Sequence, residues 1–149
     1  MKSDVRKQVE RRLYDYTFNL SRISAIKKRL EELEPDTLKS SAYLEIGNNN
    51  KNSDIVAKEA IRISDFEDML KKELKRREID VFEIDKAMEC LTQIENKVIV
   101  MRYFKLNKMG FISDTLCYSR EYLSRICKRA VIKIQKVLYG VSEEGKENF

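Results

Sequence analysis

Between Tyr118 and Ala130 the chain reads YSREYLSRICKRA, four positive charges and one negative in thirteen residues. If Leu123, Ile126 and Ala130 turn inward at helical spacing, Arg120, Glu121, Ser124, Arg125 and Lys128 are left on the outer face. Those side chains suit the edges of bases. Arginine can donate two hydrogen bonds to guanine and a carboxylate can accept from the amino group of cytosine, each worth about 1–3 kcal/mol of discrimination. The expected base contacts are therefore Arg120, Glu121, Ser124 and Arg125. Glu121 is the informative one, because a phosphate would repel it; the competing reading pairs it with Arg125, four residues on.

Lys105, Lys108, Ser119, Lys128, Arg129 and Lys133 are the expected phosphate contacts, which set affinity and register without carrying sequence information. Lys136 fits the same role or a solvated face. Arg102 either joins them or covers the core with its aliphatic stem. Tyr122 either touches a thymine methyl or sugar, or packs against a neighbouring side chain.

Other chemistry has little to stand on. There is no histidine and no phosphate loop, and Cys90, Cys117 and Cys127 have no general-base partner and no metal spacing. The cysteines read as reduced core residues, so no catalytic residue, metal or cofactor is expected. The adjacent acids Glu31-Glu32 and Glu67-Asp68 look like ordinary helix surface. No apolar run approaches the roughly 18 residues of a membrane span, and MKSDVRKQVERR lacks an apolar signal core. The expectation is a cytoplasmic protein that does not enter a membrane.

Charge is distributed unevenly along the 149 residues. Residues 1–91 hold 19 basic and 19 acidic side chains; residues 92–139 hold 10 basic against Glu95, Asp114 and Glu121, a net +7. The tail 141–149 is acidic. A neutral half joined to a basic half is the electrostatic footprint of a nucleic-acid binder, and equally of a solvated basic surface.

The elements that must position these residues read as helices throughout, since one proline and four glycines leave few breakers. Val9, Leu13, Tyr16, Leu20, Ile23, Ile26, Leu30 and Leu33 form one helical stripe, expected to end at Leu33–Asp36, where Pro35 disfavours helix in the residue before it. Residues 37–53 lack periodicity and predict a flexible loop. Ser53 or Asp54 can then cap a second stripe through Val56, Ala60, Ile63, Phe66, Leu70 and Leu74. Val81, Ile84, Met88 and Leu91 continue it, as one helix or as two with a break near Ile79-Asp80. The stripes suit either an internal core or an oligomer seam, and residues 1–91 are assigned to oligomerisation. Residues 92–140 form a separate unit: an amphipathic helix over 94–104, a short helix over 109–116, a turn at Cys117-Tyr118, and a basic helix capped by Ser119 and ended by Gly140. This is the pattern of a helix-turn-helix in an all-α chain.

Residues 91–138 resemble the domain with which bacterial sigma factors read the minus-35 promoter element. The similarity rests on Leu91, Glu95, Val98, Met101 to Phe104, Ile112, Leu116, Ser119 to Glu121, Leu123, Ile126, Arg129-Ala130 and Leu138. Together with VERRLYDY (9–16) and LYG (138–140), the chain is similar to the phage late-transcription regulators of the RinA and ArpU type. Two positions depart from the pattern: Cys117 stands where the family turn usually has glycine, and Gly110 where a helix former is usual. Gly110 either weakens a helix interior or marks the start of the supporting helix.

The resemblance implies a sequence-specific activator of phage or prophage late genes, acting in the bacterial cytoplasm. Its expected partners are double-stranded promoter DNA and further copies of itself in a homo-oligomer, with host RNA polymerase as a further candidate. The alternatives are a DNA-recognition component of phage packaging, like a small terminase, and an interaction protein that binds polymerase without reading DNA.

Overall fold

The computed structural model describes residues 2–33 and 50–140, and every regular element among them is helical. Five α-helices follow in order: α1 (Lys2–Glu32), α2 (Asn50–Glu89), α3 (Gln93–Ile99), α4 (Met109–Leu116) and α5 (Arg120–Tyr139). A π-helical turn, Val100–Phe104, continues directly from α3. The fold is all-α.

Neither α1 nor α2 contains glycine or proline, and both are rich in Lys, Glu, Arg and Leu, which favour helix. That settles the open question near Ile79-Asp80: α2 runs through without a break. It also begins at Asn50, so Ser53 and Asp54, the expected caps, lie within the helix. The rest of the expected loop lies outside the described residues. α1 ends at Glu32, and Leu33 closes the turn by donating its N–H to Arg29 and Leu30 carbonyls at 3.2 Å.

The chain divides into two compact units, Met1–Leu20 with Ile79–Phe149, and Ser21–Glu78. This is not the expected division at Leu91-Thr92. The reason is the inner face of α5. Leu123, Ile126, Cys127, Ala130, Val131 and Ile134 form one buried cluster with Val98, Ile99, Tyr103 and Ile112, and with Val9, Leu13, Ile84 and Ala87. Two short helices cannot cover a 20-residue helix alone, so the start of α1 and the end of α2 complete its core.

Polar contacts fasten the same three sides. Arg12 on α1 donates to Asp80 at 3.3 Å and Glu83 at 2.6 Å on α2, and its guanidinium lies 5.8 Å from the centre of the Tyr139 ring on α5. Tyr16 stacks on Phe104, with ring centres 4.3 Å apart, and donates its hydroxyl to Asp85 at 2.5 Å. Burial and that carboxylate push the Tyr16 phenol up to about 12.

Within Ser21–Glu78 the two helix segments run antiparallel, with Arg22 bridging to Glu73 at 2.8 Å and Arg29 lying over the Phe66 ring. Arg22, burial and then Arg77 act on Glu73; burial opposes, but the two arginines prevail and hold its carboxyl down at about 2. Ile26 and Leu70 are buried here, while Ile23, Leu30, Ile63, Phe66 and Leu74 are half-buried. Val56 and Ala60 stay exposed, as does Leu20 in the other unit, so the stripes are less completely covered than their spacing predicts.

Thr92 caps α3 through a reciprocal pair: its side chain accepts the Glu95 N–H, and the Glu95 carboxylate accepts the Thr92 N–H at 3.3 Å. Glu95 is only 2% exposed, and the same oxygen takes a 2.6 Å bond from Lys133 Nζ on α5. Burial alone would raise the Glu95 carboxyl, but Lys133 and Thr92 outweigh it and hold the value below the ordinary range. A depressed folded value adds stability at neutral pH, and that stability is lost as pH falls through the carboxylate range. Glu95→Gln keeps a capping side chain but removes the charge. It should cost about 1–3 kcal/mol at pH 7 in denaturant unfolding, and the difference from wild type should shrink below about pH 4.

Candidate nucleic-acid interface

α4, the turn and α5 are held by local bonds that their sequence specifies. Ile112 on α4 and Leu123 on α5 are fully buried. Cys117 adopts the left-handed conformation, φ 59° and ψ 38°, at the end of α4. Ser113 Oγ donates to the Tyr118 carbonyl at 2.5 Å across the turn. Ser119 is the N-cap of α5, its hydroxyl accepting the Tyr122 N–H at 3.2 Å. Gly140 ends α5 with φ 85°, returning its N–H to the Lys136 carbonyl at 2.9 Å.

With the inner face fixed, the outer face follows. Arg120, Glu121, Ser124 and Arg125, the four expected base contacts, line a single open groove of about 560 Å³ together with Lys128. Arg102 and Met109 form its other wall. A second hollow of about 380 Å³ shares Arg102 and Met109 and adds Lys108, Asn107, Leu106 and Tyr14. Lys105 and Arg129 are exposed but line neither.

Glu121 makes no ion pair with Arg125, so among the described residues that structural pairing is not formed. Arg120, Arg125, Lys128, Arg129, Lys105, Lys108 and Lys136 are likewise without an acidic partner among the described residues. Lys133 differs from expectation: its ammonium is engaged by the buried Glu95, because a carboxylate at 2% exposure requires a counter-charge. Ser119 Oγ is engaged as the cap. Tyr122 packs on Tyr118, ring centres 5.1 Å apart, while remaining 39% exposed.

Arg102 is half-buried. Its guanidinium lies over the Tyr103 ring at 5.7 Å, with Nε buried, and the side chain still reaches both hollows. Met109 was not singled out by its sequence, since a methionine opening a helix carries no distinguishing signal. Nor was Leu106, which has φ 58° and is 68% exposed. Its left-handed turn ends the π segment and lets Asn107 donate to the Met101 carbonyl at 2.9 Å.

The cysteines separate in role. Cys127 is buried beside the Tyr103 hydroxyl at 3.8 Å, and burial pushes its thiol up. Cys90 and Cys117 are exposed rather than core, one at the end of α2 and one in the turn. Among the described residues no group of three or more cysteines and acids could hold a metal ion, and no helix is long and apolar enough to cross a membrane.

Comparison with known family models, curated proteins and solved structures finds no match to this chain.

The left-handed backbone at Cys117 costs a residue with a Cβ roughly 1–2 kcal/mol, part of which glycine returns as chain entropy. Cys117→Gly should therefore raise unfolding stability by about 0.5–1 kcal/mol, measured by chemical denaturation. An unchanged or lowered midpoint would show that the turn is not strained.

Proposed function

We propose that the protein binds double-stranded DNA and reads bases with the N-terminal half of α5. One observation carries this reading: Arg120, Glu121, Ser124 and Arg125 line one exposed groove and are free of ion pairs among the described residues. A carboxylate among arginines, left unpaired by its neighbours, is poorly matched to phosphate and well matched to a cytosine amino group beside a guanine. Lys105, Lys108, Lys128, Arg129 and Lys136 supply phosphate contacts; Lys133 leaves that set because Glu95 holds it. Ser119, at the start of the same helix, presents its backbone to the phosphates while its hydroxyl caps. The resemblance of residues 91–138 to the minus-35-reading domain of sigma factors supports promoter DNA as the target, activation of phage or prophage late genes as the role, and host RNA polymerase as a partner.

Selection from random duplexes tests it. Arg120→Ala and Glu121→Ala should change the selected sequence, each relaxing one or two positions by about 1–3 kcal/mol. Lys128→Ala and Arg129→Ala should weaken all duplexes alike. With about five phosphates neutralised, log affinity should fall against log salt with a slope of about −4 to −5. A slope near zero on selected and scrambled duplexes alike would end the DNA reading.

The Ser21–Glu78 unit supports self-association. It buries Ile26 and Leu70 but leaves Ile55, Val56, Ile61 and Met69 between 49% and 64% exposed on a paired-helix framework. Apolar surface of this kind favours a further helix. A second copy would also place two reading heads on one DNA, raising avidity over a single weak head. Light scattering should give a mass above the 17.7 kDa chain, returning toward it in an Ile55→Ser, Ile61→Ser double variant. A wild-type monomer at the highest soluble concentration would exclude self-association through this unit.

A further inference from the structure

Gly110 is the second residue of α4, and its place in a helix has no conformational motive, because it is not among the residues with positive φ. What distinguishes it is the space it leaves. A Cβ built there would stand 2.8 Å from Arg120 Nη2, 3.3 Å from Cζ and 3.7 Å from Nε. The first distance is closer than real Cβ contacts come, so the guanidinium of Arg120 occupies the room that any other residue at position 110 would fill. The arginine makes no ion pair among the described residues that would otherwise fix it. From this seat against α4 it lines the groove it shares with Met109 and Glu121.

We infer that Gly110 is a specificity-determining positioning residue: it touches no base, and sets the direction from which Arg120 meets one. This rests on the base-reading role of α5. The group that must yield to a side chain at 110 is the far end of a flexible arginine, so the scaffold tolerates the change and the reading arm absorbs it. Alanine is also the better helix former, so Gly110→Ala should leave folding intact while altering what is read. A residue placed only for helix stability would show the reverse.

Two measurements on the full chain test this. In the free protein, nuclear Overhauser contacts should join the Gly110 α-protons to the Arg120 δ- and ε-protons; their absence would overturn the seat. Selection from random duplexes should then give Gly110→Ala a relaxed preference at the position that Arg120→Ala relaxes, about tenfold, with binding to random DNA and the unfolding midpoint not lowered. The Gly110→Ala, Arg120→Ala double variant should match Arg120→Ala alone, since a displaced arginine and an absent one lose the same contact. A wild-type profile in Gly110→Ala, beside a selective parent, would overturn the inference while base reading stands. A parent that selects no sequence, with the proton contacts present, would bring down base reading and this role together.

Discussion

The inner face of α5 has to be kept from water, and the arrangement of the first unit follows from that need. Leu123, Ala130 and Ile134 are fully buried, and Ile126, Cys127 and Val131 nearly so, over a helix of 20 residues. α3, the π turn and α4 cover part of this face through Val98, Ile99, Tyr103 and Ile112. Val9, Leu13, Ile84 and Ala87 cover the rest. Once that face is committed, the outward direction of every other side chain on α5 is fixed to within the staggered rotamers available to it. The groove exists because the core leaves α5 no other orientation.

Charge is handled differently on the two kinds of element. The long helices carry many charges and satisfy a good part of them internally, as in Arg12 with Asp80 and Glu83, Arg22 and Arg77 with Glu73, and Lys27 with Glu78. Exposed pairs of this sort add little stability, but they cancel field. On residues 92–140 one ion pair is present among the described residues, Lys133 with Glu95. Arg102 lies half-buried over the Tyr103 ring; the remaining cations there face solvent without an acidic partner among the described residues, and such a surface would draw an anionic polymer.

Much of this was legible in the residues. Period-3.6 spacing marked the stripes of α1 and α2 and the inward set on α5 but left open a break near Ile79-Asp80, and Ser119 and Gly140 marked the ends of α5 through their capping chemistry. Cys117 stands where the resembled turn usually has glycine, and its backbone is left-handed. The division of the core was not legible: periodicity tells which face of a helix is apolar but not which partner covers it, so Val9 and Ile84 gave no sign of packing with α5. Lys133 was misread for a related reason. Its spacing places it on the flank of α5, and only the burial of Glu95, 38 residues earlier, decides where its ammonium goes. Arg102 and Met109 joined the groove through the π turn and the loop after it, whose geometry no residue pattern announces.

Because Val9 and Leu13 belong to the same core as Ala130 and Ile134, the chain closes a loop spanning most of its length before that core is complete. During synthesis at about 5–20 residues per second, the first helix leaves the ribosome roughly 6–24 seconds ahead of the residues that bury it. Until then Val9 and Leu13 lack the side of their cover that α5 supplies, and contacts so distant along the chain form slowly even after release. α5 thus follows every other described element along the chain and is the one on which the start of α1 depends. A chain halted before α5 would leave Val9, Leu13, Ile84 and Ala87 open on the side that α5 covers.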